Sequence, residues 1–72
     1  MNLKFSTFII QAKETNEEYK NCKYHAGYGV MVEDVKDALF HTSKKQAEME
    51  LSYFDEPDEF EIIEILVCLR TK

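Results

Sequence analysis

The chain has 72 residues with two Gly, one Pro and no Trp, and 44% of its residues are hydrophobic. This composition predicts one small domain over residues 1–72, because the apolar content is sufficient for a compact core. A chain of this length buries only about 60% of its unfolded surface, which leaves little room for a deep substrate cleft.

The net charge of −5 is unevenly placed. Residues 1–45 are close to neutral, whereas residues 46–69 contain no Lys or Arg and eight acidic residues. Direct binding to nucleic acid requires a basic surface, and residues 46–69 offer none. We therefore expect no direct binding to nucleic acid. An acidic surface is suited to bind a basic surface on another protein, such as that protein's own nucleic-acid-binding site. The alternative is an ordinary solvated face that maintains solubility.

The first segment, MNLKFSTFIIQAKETNEE, is too short to span a bilayer and soon becomes charged. We therefore expect no membrane anchor and no signal peptide, and a cytoplasmic location. In that compartment Cys22 and Cys68 are expected to be reduced thiols.

The first half of the chain predicts two strands separated by a polar segment. Residues 3–12 are rich in β-formers, and residues 23–35 resume strand character with a bend or bulge at Gly27 and Gly29. Residues 13–22 indicate a turn, or a short helical turn that begins with a capping box from Thr15 to Glu18.

Residues 37–41 are compatible with a short strand or with the start of a longer helix, and we favour a break at 42–43. Ser43 and Gln46 form an S-x-x-Q capping box, which predicts a helix over 43–54 with Ser43 as its cap. Ala47, Leu51 and Phe54 form its apolar stripe. The stop is predicted at 55–57, since Pro57 disfavours helix in the residue before it.

Residues 59–70 predict the last strand, which is apolar on both faces and is therefore expected to be central in the sheet. Its alternation puts Phe60, Ile62, Leu66 and Cys68 on one face and Ile63, Ile65, Val67 and Leu69 on the other. The predicted fold is α+β: a small antiparallel sheet of three to four strands with one helix packed on one face. Leu51 and Phe54 are expected to contact Phe5, Ile9 or their neighbours and the strand over 60–62.

One helix cannot cover both faces of such a sheet, so a homodimer with stacked sheets or a binding partner is expected to cover the rest. Met49 and Tyr53 lie roughly opposite the apolar stripe of the helix. Both residue types are enriched at interfaces, although a lone surface aromatic is also common.

Catalysis and metal binding have little support in the sequence. Cys22-x-x-His25 has the spacing of a zinc half-site, and His41 and Cys68 could complete it, but a chance pairing is the simpler interpretation. Pairs such as Cys22 with His25 lack an orienting acid and an oxyanion donor at any recognisable position. We therefore expect no enzyme activity, no metal and no cofactor.

EDVKDALFHTSKKQAEMEL followed by FEIIEILV, within residues 33–67, resembles a pattern in small phage and mobile-element proteins of strand–helix–strand type. Some anti-CRISPR proteins and a short coliphage inhibitor of host RNA polymerase have a similar layout. The resemblance implies a protein that binds and inhibits a host protein, as in anti-defence or host takeover. The candidate contact residues are on the acidic helix and just beyond it: Glu48, Met49, Glu50, Tyr53 and Glu56. A structural or regulatory homodimer is the alternative.

Overall fold

A computed structural model describes the backbone of residues 2–70 and the side chains of residues 3–68. Within this range the chain forms one four-stranded antiparallel sheet and one α-helix, which confirms the predicted α+β class. The strands are β1 (Asn2–Ala12), β2 (Tyr24–His25), β3 (Met31–Val32) and β4 (Phe60–Arg70), and the helix is α1 (Lys44–Leu51).

The two long strands, β1 and β4, form an antiparallel ribbon that dominates the fold. They pair without interruption over eleven residues each, from Asn2 opposite Arg70 to Ala12 opposite Phe60. At about 3.3 Å per residue, the ribbon is about 36 Å long. It accounts for most of the longest dimension of the molecule, 42 Å.

The predicted central position of the last strand is wrong. The strand order is β3-β2-β1-β4, so β1 is central and β4 is an edge strand. The apolar alternation itself is confirmed by the register for residues 60–68, while the predicted orientation of Leu69 lies outside the described side chains. Apolar side chains on both faces of a strand indicate packing above and below the sheet. They do not require a hydrogen-bonded neighbour along both edges of the strand.

The predicted strand over 23–35 is a tight hairpin rather than one strand. β2 and β3 are two residues each, and His25 pairs with Met31. The turn between them lies where Gly27 and Gly29 predicted a bend. The preceding polar segment contains a 3-10 turn at Glu17–Tyr19, which confirms the alternative of a short helical turn. The turn begins after Asn16, however, so the predicted capping box at Thr15 is wrong.

Helix α1 begins where its cap predicts. The Ser43 Oγ accepts a hydrogen bond from the Gln46 N–H at 3.2 Å. The Gln46 side chain instead accepts a bond from the Thr42 hydroxyl at 2.8 Å. Residues 37–41 do not extend the helix, because His41 forms an isolated bridge with Phe8 of β1.

The helix ends at Leu51, three residues before its predicted end, and the chain tightens there into i to i−3 bonds. The Tyr53 and Phe54 N–H groups donate to the carbonyls of Glu50 and Leu51 at 3.1 and 3.0 Å. A further 3-10 turn, Pro57–Glu59, then leads into β4.

The core lies under the end of α1. Ile10, Ala12 and Phe60 are buried, and Leu51, Phe54 and Ile62 pack against them. The predicted contacts with the strand over 60–62 are therefore confirmed. On β1 the contacts are made by Ile10, the neighbour of Ile9, and not by Phe5 or Ile9, because alternation places both on the opposite face of β1 from Ile10 and Ala12. Phe5 is also 48% exposed.

Candidate functional site: an acidic groove lined by tyrosines

A groove of about 850 Å³ opens between the β2–β3 turn and the end of α1. We call it the tyrosine groove. Its walls come from five separate segments: residues 16–19, the hairpin over 25–31, Leu39, the end of α1 with the segment after it over 50–56, and Phe60 of β4. Aromatic side chains line much of it, namely Tyr19, Tyr28, Tyr53, Phe54 and Phe60.

The groove is acidic. Glu18, Glu50, Asp55 and Glu56 line it, and among the described residues no Lys or Arg does. Carboxylates that share one concave surface add their fields, and the nearby low-dielectric wall screens them less than open water does. The arrangement favours positively charged groups over negatively charged ones.

Tyr28 lies at the tip of the β2–β3 turn in an unusual conformation. Three successive residues have positive φ: Gly27 at 96°, Tyr28 at 52° and Gly29 at 74°. Glycine adopts this region freely, but a residue with a Cβ pays about 1–2 kcal/mol for it. The turn is closed by the Ala26 N–H, which donates to the Val30 carbonyl at 2.8 Å.

The Tyr28 side chain is fully exposed, with a relative accessibility of 104%. A strained residue that presents a large aromatic side chain to solvent gains no compensating packing within the monomer. Such outliers concentrate at functional sites. The Gly-Tyr-Gly sequence at 27–29 is the available signal for this feature, since its two glycines predict the bend that presents Tyr28.

The tight turn after α1 separates two neighbouring aromatic side chains. Phe54 points into the core, with its ring centroid 4.7 Å from that of Phe60. Tyr53 remains 78% exposed. The predicted exposure of Tyr53 is thus confirmed, and Tyr28 and Tyr53 are two exposed aromatic residues that border the groove from separate segments.

His25 lies at the base of the groove and is only 3% exposed. Its ring packs edge-on against Phe54, with centroids 4.7 Å apart. Burial lowers the pKa of His25, Glu50 acts to raise it, and nearby His41 lowers it further. The net result is a pKa below the usual value, so the imidazole is neutral at pH 7. Its Nδ1 atom is buried without a hydrogen-bond partner in the described part of the chain.

Three of the five predicted contact residues line the tyrosine groove, and two do not. Glu50, Tyr53 and Glu56 line the tyrosine groove together. Glu48 and Met49 are exposed on α1 but do not line it. Met49 is 54% exposed, as its position opposite the buried stripe predicts.

The four potential zinc ligands do not share one environment. Cys22 is exposed in the loop before β2 and Cys68 is exposed on β4, whereas His25 is buried. Within residues 2–70, no group of three or more His, Cys, Asp or Glu side chains is arranged to hold a metal ion.

The chain matches no protein-family model, no curated protein and no solved structure. The described helices are also all too short or too polar to cross a bilayer.

Proposed function

We propose that the protein is a small, non-catalytic binding protein of phage or mobile-element type. It holds a basic, arginine-containing segment of a host protein in the tyrosine groove and thereby inhibits that protein. The observation that carries the proposal is the composition of the groove: four carboxylates beside the exposed rings of Tyr28 and Tyr53, with no lining Lys or Arg among the described residues.

Arginine fits this composition better than lysine does. A guanidinium group stacks on aromatic faces and donates two parallel hydrogen bonds to one carboxylate. Stacking on Tyr53 leaves the guanidinium close to the acids that follow α1. A cation over an aromatic ring contributes about 0.5–2 kcal/mol, depending on its desolvation.

The aromatic rings are needed because charge alone gives little affinity at physiological salt, where the Debye length is about 8 Å. The acidic field raises the rate of encounter with a basic segment. The rings supply the contact area that slows dissociation.

The cellular setting we propose is the cytoplasm of the host. Cys22 and Cys68 are both exposed free thiols. Exposed thiols persist in a reducing compartment, whereas oxidising compartments favour disulfides. The basic surface that a bound inhibitor blocks is, in this proposal, one that normally contacts nucleic acid.

The first experiment measures binding of defined peptides by fluorescence anisotropy. The probes are an arginine-rich peptide, the same peptide with every arginine replaced by lysine, and an acidic peptide of equal length. We expect the arginine peptide to bind most tightly, the lysine peptide more weakly, and the acidic peptide not at all. Equal affinity for the arginine and lysine peptides would exclude stacking as the source of specificity.

The second experiment compares paired variants of α1 and the segment after it. Tyr53→Ala should weaken binding by about 1–3 kcal/mol, or about 5- to 150-fold in Kd, whereas Met49→Ala should have little effect. Glu50→Lys should likewise weaken binding more than Glu48→Lys does. These pairs place the same change on the same segment inside and outside the groove. If the members of each pair behave alike, the contact lies elsewhere.

The natural partner can be captured from host lysate with the wild-type protein as bait. A partner of this site is retained by wild-type protein and by Met49→Ala, but is lost with Tyr53→Ala. Loss of activity of that partner on titration with the protein tests the inhibitory role.

A further inference from the structure

Among the described strands, β4 has a hydrogen-bonded neighbour along one edge only. Within the described sheet, β1 pairs with one edge of β4 and no strand pairs with the other. Exposed edges attract further strands, and proteins usually protect them with charges, prolines or bulges. Residues 65–69 of β4 contain no charged residue and no proline. This half of the edge is unprotected.

The far end of the ribbon is also weakly supported. Residues 2–6 pair with residues 66–70, while β2 pairs with β1 only at Gln11. Helix α1 packs over Ile10 and Phe60, at the other end. A two-stranded ribbon is marginally stable in water unless further strands or a helix join it. Leu66 is 64% exposed there.

The hydrogen-bond pattern shows which backbone groups of β4 point outward. The Lys13 N–H donates to the Glu59 carbonyl at 3.0 Å, just beyond the paired strands. Phe8 exchanges both of its backbone bonds with His41, on the other side of β1, at 3.0 and 2.8 Å. Bonded and non-bonded pairs alternate in an antiparallel ladder. The even-numbered residues of β4 therefore direct their N–H and C=O groups away from β1.

We infer that a second copy of this chain occupies the β4 edge, with the two β4 strands antiparallel about a two-fold axis perpendicular to the sheet. Such an axis brings even residues opposite even residues, so the outward backbone groups of one copy meet those of the other. The axis also leaves corresponding faces of the two sheets on the same side of the joined, continuous sheet. The edge is thus complementary to itself, as an isologous interface requires.

Charge excludes one register, and the exposed Leu66 favours another. A register centred on residue 64 places Glu64 opposite Glu64 of the second copy, and like charges directly opposite are destabilising. A register centred on residue 66 places Leu66 opposite Leu66, and Glu64 opposite Cys68. The Leu66 side chains then cover each other, and the ribbon gains a third and a fourth strand. The two helices lie at opposite ends and leave the shared edge free.

This edge-paired dimer differs from the stacked-sheet homodimer that the sequence suggested, and it is independent of the tyrosine groove. The oligomeric state of the protein is measured by sedimentation equilibrium over a range of protein concentrations. We expect a monomer–dimer equilibrium. Leu66→Lys places two like charges at the two-fold axis and should raise the dissociation constant at least tenfold.

Ser6→Lys is the matched control, because Ser6 lies opposite Leu66 on β1, on the same face and also exposed, but one strand away from the edge. It should dimerise like wild type. Phe5→Lys tests stacking through the opposite face and should also leave the dimer intact. A wild-type protein that is monomeric at every concentration overturns the inference. So does a dimer that Phe5→Lys disrupts and Leu66→Lys does not.

Cross-linking tests the register without relying on a destabilised interface. In a Cys22→Ser/Cys68→Ser background, Leu66→Cys places two thiols on directly opposite residues. Their Cα atoms are then about 5.5 Å apart, within the range for a disulfide. Mild oxidation should give a covalent dimer with Leu66→Cys and not with Ser6→Cys. Cross-linking of both variants, or of neither, contradicts the register.

Discussion

Phe60 is the side chain on which the small core most depends. It is 9% exposed, and its ring centroid lies 4.7 Å from that of Phe54 and 5.7 Å from that of Tyr19. Phe60→Leu keeps an apolar group in place but removes both aromatic pairs. Each pair contributes about 0.5–1.5 kcal/mol beyond area burial, so their loss costs about 1–3 kcal/mol. Imperfect repacking adds up to about 1.5 kcal/mol.

This loss is a large share of the total, because a chain of this size has a free energy of unfolding of about 4–11 kcal/mol. Urea denaturation followed by circular dichroism measures it. With an m-value of about 1 kcal/mol/M, the midpoint should fall by about 1 M or more. The control is Phe40→Leu, at a side chain that is 43% exposed, and it should change stability by no more than about 0.5 kcal/mol. Equal shifts in the two variants would refute the assignment of the core.

The pKa of His25 is lowered by burial, so the unfolded chain binds a proton more readily than the folded chain does. The free energy of unfolding should therefore fall as the pH drops below about 6.5 toward the folded pKa, and His25→Gln should flatten that part of the profile in urea titrations at successive pH values. A wild-type profile that is flat between neutral pH and the onset of carboxylate protonation would contradict this. For metal, elemental analysis should find no stoichiometric zinc, and a chelator should leave the Tm unchanged; one zinc per chain would revive the set of Cys22, His25, His41 and Cys68.

Local signals in the sequence predicted local structure well. The Ser43 hydroxyl caps α1 as the S-x-x-Q motif predicts, because a cap depends on residues within one turn. The prediction placed the end of the helix at Phe54 because the apolar stripe continues that far. The backbone, however, already tightens into a 3-10 turn after Leu51. A stripe records which side chains face the core, and a 3-10 turn preserves that facing over a few residues.

The position of β4 could not be predicted in the same way. Ile63, Ile65 and Val67 are half-buried on one face, and Phe60 and Ile62 contribute to the core on the other. Both faces are used, yet the strand is at the edge. Which strand pairs with which depends on the connections, and here the hairpin β2–β3 occupies the far side of β1 through the single pair of Gln11 with Tyr24.

The sequence predicted only some of the residues that line the tyrosine groove. Glu50, Tyr53 and Glu56 are close together in the chain and were selected for charge and exposure. Tyr28 and His25 reach the same groove through the β2–β3 hairpin, more than twenty residues away in sequence. Their contribution depends on the pairing of β2 with β1, which two-residue strands do not signal.

The central claim is that a basic segment binds in the tyrosine groove, and a residue-by-residue footprint tests it most directly. Backbone amide chemical shifts of the isotope-labelled protein are recorded while the arginine-rich peptide is added. We predict that the largest changes fall on residues 26–29 and 50–56, on the two walls of the groove, with little change at Glu48 or along the outer half of β4. Changes centred on residues 64–68, with residues 26–29 unaffected, would contradict it.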